Sequence, residues 1–199
     1  MAAVTVDPKR VHAFPDAEAF HAWLARHHDG EPEVWIRIYK VKSGTPSITP
    51  KEAIDVVLCW GWIDGIRKGL DEVSFLQRYT PRGRKSVWSQ INVDNVARLI
   101  AGGRMTEHGL KQVEAAKADG RWDQAYRVKG AVIPDDLRTA IDAVPEARTM
   151  FDTLSAQNRF ALAFRLQALK TPAGRARAIA RFVDMLRRGE TIHPQGKAS

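Results

Sequence analysis

The sequence predicts an α+β protein: a small antiparallel β-sheet packed by helices in the N-terminal part, followed by a C-terminal helical bundle. Three observations carry this reading. Residues 33–41 alternate, with Val34, Ile36 and Ile38 on one side and Trp35, Arg37 and Tyr39 on the other, which is strand periodicity. Residues 62–69 and 73–80 are two more β-like runs joined by Leu70-Asp71-Glu72, the pattern of a hairpin. From Pro134 onward the chain shows only helix starts and helical spacing.

Asp16 precedes a run that places Ala17, Phe20, Trp23 and Leu24 on one helix face, ended by Gly30 and Pro32. Thr49-Pro50-Lys51-Glu52 combines an N-cap threonine, a proline at the first helical position and a glutamate that closes a capping box. The helix it opens, residues 50–60, is apolar around most of its circumference and so is expected to be buried. Gly61 stops it. In the hairpin a three-residue loop would set Asp64 opposite Arg78, a pairing that one residue of slip would remove. Residues 81–85 read as an exposed loop and 86–91 as irregular or first-turn structure. Asn92 is the expected cap of a helix to Ala101, ended by Gly102-Gly103. Thr106 opens another helix, to about Ala118. Residues 121–133, anchored by Trp122 and Tyr126, read as the connection between a first part (1–130) and a helical bundle (131–199). In the bundle, helices start at Pro134, Pro145, Ser155 (running to Lys170) and Thr171, the last carrying Ile179, Phe182, Val183 and Leu186 on one face.

The 199 residues are 44% hydrophobic and 27% charged, enough apolar material for a core and ordinary for a globular chain. The most apolar run, residues 53–63, contains Asp55 and falls short of a membrane span. The opening MAAVTVDPKR lacks a basic stretch leading into an apolar segment, so a cytoplasmic location is expected. A lone cysteine, Cys59, allows no internal disulfide, fits a reducing compartment, and reads as a small core hydrophobe. The net charge of +8 is uneven: −1 over residues 1–80, +5 over 81–130 and +4 over 131–199. That asymmetry favours anionic partners for the second half.

Several chemistries are excluded by pattern. The six histidines, His12, His21, His27, His28, His108 and His193, show no metal-binding spacing, although His21 and His28 are placed to share a helix face. No metal is expected. There is no P-loop, no GxGxxG opening a helix and no GxSxG elbow, so no cofactor is expected either.

Residues 60–92 are the unusual stretch. Trp60, Trp62, Tyr79 and Trp88 are interleaved with Asp64, Arg78, Arg82, Arg84, Lys85, Ser86, Ser89 and Asn92. Tryptophans supply contact area and a donor, and cations beside a helix cap suit an anion. The same tryptophans serve equally as core, and the loop cations as a solvated face. The C-terminal arginines Arg175, Arg177, Arg181, Arg187 and Arg188, with Arg159, Arg165 and Lys170, suggest a basic surface without a recognition-helix pattern.

The strings Cys59-Trp60-Gly61-Trp62-Ile63-Asp64-Gly65, Tyr79-Thr80-Pro81-Arg82 and Ser86-Val87-Trp88-Ser89-Gln90-Ile91-Asn92 occur in this order. After them come Leu99 to Met105, Ala115 to Trp122, and Glu190-Thr191-Ile192-His193-Pro194. Together, over about Phe14 to Pro194, they resemble the YdeI/OmpD-associated family of bacterial proteins, also labelled bacteriocin-protection proteins. The resemblance implies a role in envelope stress and in tolerance of bacteriocins or antimicrobial peptides, without a defined reaction or cofactor. Its recurring residues fall here on Trp62, Asp64, Gly65, Thr80, Pro81, Arg82, Trp88, Ser89 and Asn92.

The expected function is therefore non-enzymatic: a stress-associated protein binding an anionic small molecule or partner near residues 60–92. One alternative is a small enzyme with Asp64 as acid/base and Arg78 or Arg82 holding an anionic substrate, which requires Asp64 in a concave pocket. Another is nucleic-acid binding through the basic second half. Direct capture of cationic peptides is disfavoured by the like net charge.

Overall fold

A helix that is apolar on nearly all sides must be enclosed, and the first part of this chain is built around one. In a computed structural model, which describes residues 5–128, 130–167, 169 and 171–195, α2 (Pro50–Cys59) buries Ala53, Asp55, Val56, Val57, Leu58 and Cys59. It serves two apolar clusters at once. Ala53, Val56 and Val57 pack with Phe20, Leu24, Val34, Ile36, Ile38, Trp62 and Tyr79. Leu58 and Cys59 pack with Trp88, Val96, Leu99, Val113 and Ala116. The capping box is present as the sequence predicts: Glu52 N donates to Thr49 Oγ1 (3.2 Å) and Thr49 N donates to Glu52 Oε2 (2.8 Å).

The chain divides into two compact units, Met1–Tyr126 and Arg127–Ser199. The first holds a four-stranded sheet of order β1-β2-β4-β3, with β1 at Val11–His12, β2 at Val34–Tyr39, β3 at Trp62–Gly69 and β4 at Ser74–Pro81. The α+β class stands, but the sheet is mixed and not wholly antiparallel. The two-residue β1 runs parallel to β2, pairing Val11 with Trp35 and His12 with Ile36. It is too short to show periodicity in the sequence. Around the sheet lie α1 (Ala17–His27), α2, α3 (Gln90–Ala101) and α4 (Glu107–Ala118).

The hairpin register differs from expectation. Gly69 pairs with Phe75, and an irregularity between Asp64 and Arg67 leaves Asp64 opposite Tyr79. Arg78 instead reaches across β2, donating through Nε to Glu33 Oε2 at 2.6 Å. The same carboxylate accepts from the indole of Trp35 (3.2 Å), which explains how Trp35 is fully buried on the strand's more polar face.

Two contacts fix the helices onto α2. Asp55, the charge inside its apolar run, accepts from Arg98 Nη2 of α3 at 2.6 Å. At its C-terminus, Cys59 O accepts from both Thr106 N (3.2 Å) and Thr106 Oγ1 (2.6 Å). The next turn of α4 then lies directly on this carbonyl: a Cβ added to Gly109 would stand 2.3 Å from Cys59 O and 2.7 Å from Leu58 O.

The second unit contains α5 (Asp135–Asp142), α6 (Pro145–Asp152), α7 (Ala156–Gln167) and α8 (Pro172–Arg187). Leu137, Ile141, Phe151, Leu162, Leu166, Phe182 and Leu186 form its core. The expected extension of α7 to Lys170 reaches a residue outside those described. Buried Asn158 ties down the segment after α8, donating to His193 O (3.0 Å) and accepting from His193 N (2.9 Å).

Two outcomes test this frame. Alanine is the better helix former than glycine by about 1 kcal/mol, yet Gly109→Ala should lower stability by about 1–3 kcal/mol in chemical denaturation, because backbone must move to admit the methyl. Hydrogen bonds from Thr49, the backbone one first, hold the Glu52 carboxyl below its ordinary value of 4.5. For an acid with a depressed folded value, the stabilisation is complete above the ordinary value and disappears as pH falls through the lower one. Glu52→Gln should therefore flatten the acid limb of the stability–pH curve below about pH 5, and Thr49→Ala should cost about 0.5–2 kcal/mol at neutral pH.

Candidate functional site

The eleven candidate residues of the 60–92 stretch separate into distinct settings. Trp62 is core beneath the sheet, 2% exposed. Arg78 is committed to Glu33. Thr80 is half-buried opposite Ile63. Asp64 is exposed on β3, so an acid/base role for it lacks the enclosed pocket it requires. Arg84 and Lys85 are exposed on a tight turn, closed by Ser86 N donating to Gly83 O (2.9 Å). Ser89, and not Asn92, caps α3: its Oγ accepts from Asn92 N at 3.2 Å. The helix thus starts at Gln90, and Asn92 lies half-buried in its first turn. The serine is the cap because it stands in extended backbone at the point where the chain enters the helix.

Arg82 departs most from expectation. The sequence places it among three cations of an exposed loop, yet it is 6% exposed. Its guanidinium lies over the Trp88 ring, 3.6 Å from the centroid, and Nη1 donates to Val87 O (3.3 Å). Nε and Nη2 have no hydrogen-bond partner among the described residues, nor does the buried Trp88 Nε1. Burial pushes the Arg82 guanidinium down to about 10, with the charge of Asp64 opposing that fall and that of Arg121 adding to it. An arginine that remains charged at neutral pH is therefore held in a nearly dry setting.

Its surroundings come partly from outside residues 60–92. Arg82 N donates to Gly61 O (3.0 Å), fixing the strand end to the α2 terminus. The segment after α4 closes over the 82–89 loop. Tyr126 N donates to Trp88 O (3.0 Å), Gln90 N donates to Tyr126 O (2.8 Å), and Arg121 Nη1 donates to Ser86 O (2.9 Å). Trp122 meets Trp88 edge-on, with centroids 4.9 Å apart. The aromatics Trp122 and Tyr126 are legible in the sequence as anchors of a connecting segment; the loop they anchor to is not.

Trp60 belongs to a second cluster. It caps α2 and is ringed by His21 (5.2 Å between centroids), His28 (4.7 Å) and His108 (5.5 Å, nearly parallel). His21 and His28 do share a face, as their spacing predicts, and that face is directed at Trp60. Beside His21 is a cleft of about 350 Å³ lined by Ala17, Glu18, Ala22 and Arg104.

Part of the arginine stripe of the second unit is occupied internally, while Arg165, Arg177 and Arg181 are exposed. Arg175 forms a forked pair with Asp136 (2.6 and 2.8 Å), Arg187 and Arg188 both reach Asp184, and Arg188 also meets Glu190. Among the stripe's residues Lys170 lies outside the described ones. Paired arginines offer little free charge to a phosphate backbone.

Residues 12–112 match the family described as "Domain of unknown function (DUF8412)". Residues 130–189 match the family described as "Bacteriocin-protection, YdeI or OmpD-Associated". No curated protein and no solved structure matches the chain. The motif residues of 60–92 thus fall in the first of these matches, and the bacteriocin-protection match falls within the second unit.

The setting of Arg82 makes a stability prediction. A buried cation with no carboxylate hydrogen-bonded to it among the described residues is costly, and hydrophobic replacements of buried ionic groups are often neutral or stabilising by about 1–4 kcal/mol. Arg82→Met, which keeps the length of the side chain over Trp88, should leave the thermal midpoint unchanged or raised in anion-free buffer. A fall of several degrees would show that the guanidinium is a structural element.

Proposed function

We propose, for a chain that belongs to the DUF8412 family and carries a bacteriocin-protection, YdeI or OmpD-associated domain, that its first unit is a binding module for an oxyanion. Arg82 is the anchor. The single observation that supports this is the unpartnered edge of its guanidinium: with Nη1 used by Val87 O, Nε and Nη2 are two buried donors left without partners among the described residues. Those two N–H groups are parallel and match the two oxygens of a carboxylate or phosphate group. Trp88 holds the guanidinium plane from beneath, so little side-chain entropy is lost when the anion arrives. Exposed Arg84 and Lys85 raise the local concentration of anions without contacting the bound group.

In this reading the protein is cytoplasmic and acts non-enzymatically in stress or antimicrobial-peptide tolerance, by binding an anionic metabolite or the acidic group of a partner. Its own positive charge argues against direct capture of cationic peptides.

The test is thermal unfolding and calorimetry with inorganic phosphate and with acetate, at low and high salt. A ligand at about 100 times its Kd stabilises the native state by about 2.7 kcal/mol, a shift of several degrees. The expected result is a shift with at least one of the two anions that survives high salt, persists in Arg84→Ala/Lys85→Ala, and is lost in Arg82→Met. Failure of both anions to move the wild-type midpoint, or an equal shift in Arg82→Met, would overturn the reading.

A further inference from the structure

The histidines around Trp60 carry an inference independent of Arg82. We propose that His28, Asp29 and His108 form a three-ligand site for a divalent transition metal, zinc being the best match. Nothing in their sequence spacing indicates it, since His108 is supplied by α4 and the other two by the end of α1.

The geometry rests on His28. Its Nδ1 lies 3.0 Å from Leu24 O. A carbonyl can only accept, so Nδ1 carries the proton and the neutral ring presents a lone pair at Nε2. Nε2 is buried and has no hydrogen-bond partner among the described residues, although Asp29 Oδ1 stands 3.1 Å away. The carboxylate is thus beside the nitrogen but off its hydrogen-bonding axis. Unless the ring takes up a second proton, two lone-pair groups placed side by side in this way repel each other until a metal cation lies between them. Their separation is close to that of neighbouring ligands in a tetrahedral zinc site, roughly 3.3 Å for bonds of about 2.0 Å.

His108 completes the set. Its ring is 4.0 Å from that of His28, centroid to centroid, at an interplanar angle of 60°. One ligand atom from each of the three residues falls within a sphere where all lie within 4.8 Å of one another. The widest separation this allows, 4.8 Å, must close to roughly 3.3 Å when an ion is bound. The outer contact that a metal-binding histidine needs is already made for His28, whose ring Leu24 O orients, while His108 is stacked along Trp60. His28 also terminates α1, where the helix dipole favours a positive charge. Glu107, 3.7 Å from His108 Nε2, adds a second carboxylate at the rim. Asp29 is 83% exposed, which gives the ion a path in. Two imidazoles and one carboxylate leave a fourth position for water or an incoming donor. Such a site would join the end of α1 to the start of α4.

The experiment is calorimetric titration of tag-free, chelator-treated full-length protein with Zn²⁺ at about pH 8, where imidazoles as a class are neutral. The expected result is one equivalent bound with a Kd in the micromolar range or tighter, with a rise in thermal midpoint that a chelator reverses. Asp29→Asn changes an exposed side chain and should keep the native circular dichroism while weakening binding at least tenfold. His108→Gln should do the same. His21→Gln, which alters a neighbour of Trp60 outside the ligand set, should leave binding unchanged. Absence of one-equivalent binding in the wild type would overturn the proposal. So would wild-type affinity in both Asp29→Asn and His108→Gln, or loss of binding in His21→Gln with retention in Asp29→Asn.

Discussion

The carbonyl of Cys59 is the point on which the first unit depends. α2 is apolar on nearly every side, so its burial serves two clusters simultaneously, and its last turn has no solvent to satisfy its free carbonyl groups. Thr106 supplies two of the missing donors, and the absence of a side chain at Gly109 lets α4 settle directly on the backbone. This junction brings His108 to Trp60, turns the chain at Gly61 into β3, and offers Gly61 O to the amide of Arg82. Both the guanidinium cluster and the histidine cluster are therefore attached to the same three residues, 59–61, from opposite directions along the chain.

The charges are used in two different ways in the two units. In the second, arginines sit at the surface with nearby carboxylates, Arg175 on Asp136 and Arg187 and Arg188 on Asp184, where each exposed pair contributes only about 0–1 kcal/mol. In the first, single charges are buried with few partners. Asp55 is neutralised by Arg98. Arg82 has a carbonyl and an aromatic face but, among the described residues, no carboxylate bonded to it. Local departures from full satisfaction concentrate where function resides, and the contrast between Arg82 and the surface arginines is the basis for reading one as a site and the others as solvated structure.

Much of the frame is legible in residues 1–199 because it is written in local signals. The Thr49-Pro50-Glu52 box, the Asp16 and Thr106 caps and the alternation of β2 are short-range patterns, and each produces its element. What is not legible depends on contacts between distant residues. The Asp64–Arg78 pair does not form because the loop is longer than three residues, setting Gly69 opposite Phe75, and the irregularity in β3 brings Asp64 only as far as Tyr79, while Glu33, 45 residues away, takes Arg78. Arg82 reads as exposed beside Gly83, Arg84 and Lys85; its interior position comes from packing on Trp88 in a loop to which the segment at 121–126 is bonded. His28 and His108 meet because α1 and α4 both converge on Trp60, a fact that no spacing rule contains. The pattern of residue types in 60–92 thus marks out an unusual stretch, while the division of its members between core, exposed turn and buried cation comes from packing.

The irregularity in β3 has a further consequence. In the order β1-β2-β4-β3, β3 is an outer strand and β1 is the other, so both borders of the sheet have backbone groups open to pairing. A long flat border would recruit a strand from a neighbouring molecule. β1 offers only two residues. β3 is eight residues long, but its ladder is broken between Asp64 and Arg67, and Arg67 and Lys68 stand on the stretch beyond the break. The feature that cost the hairpin its simple register thus guards the sheet against growing from molecule to molecule, and replacing it with a regular strand would expose a template for self-assembly.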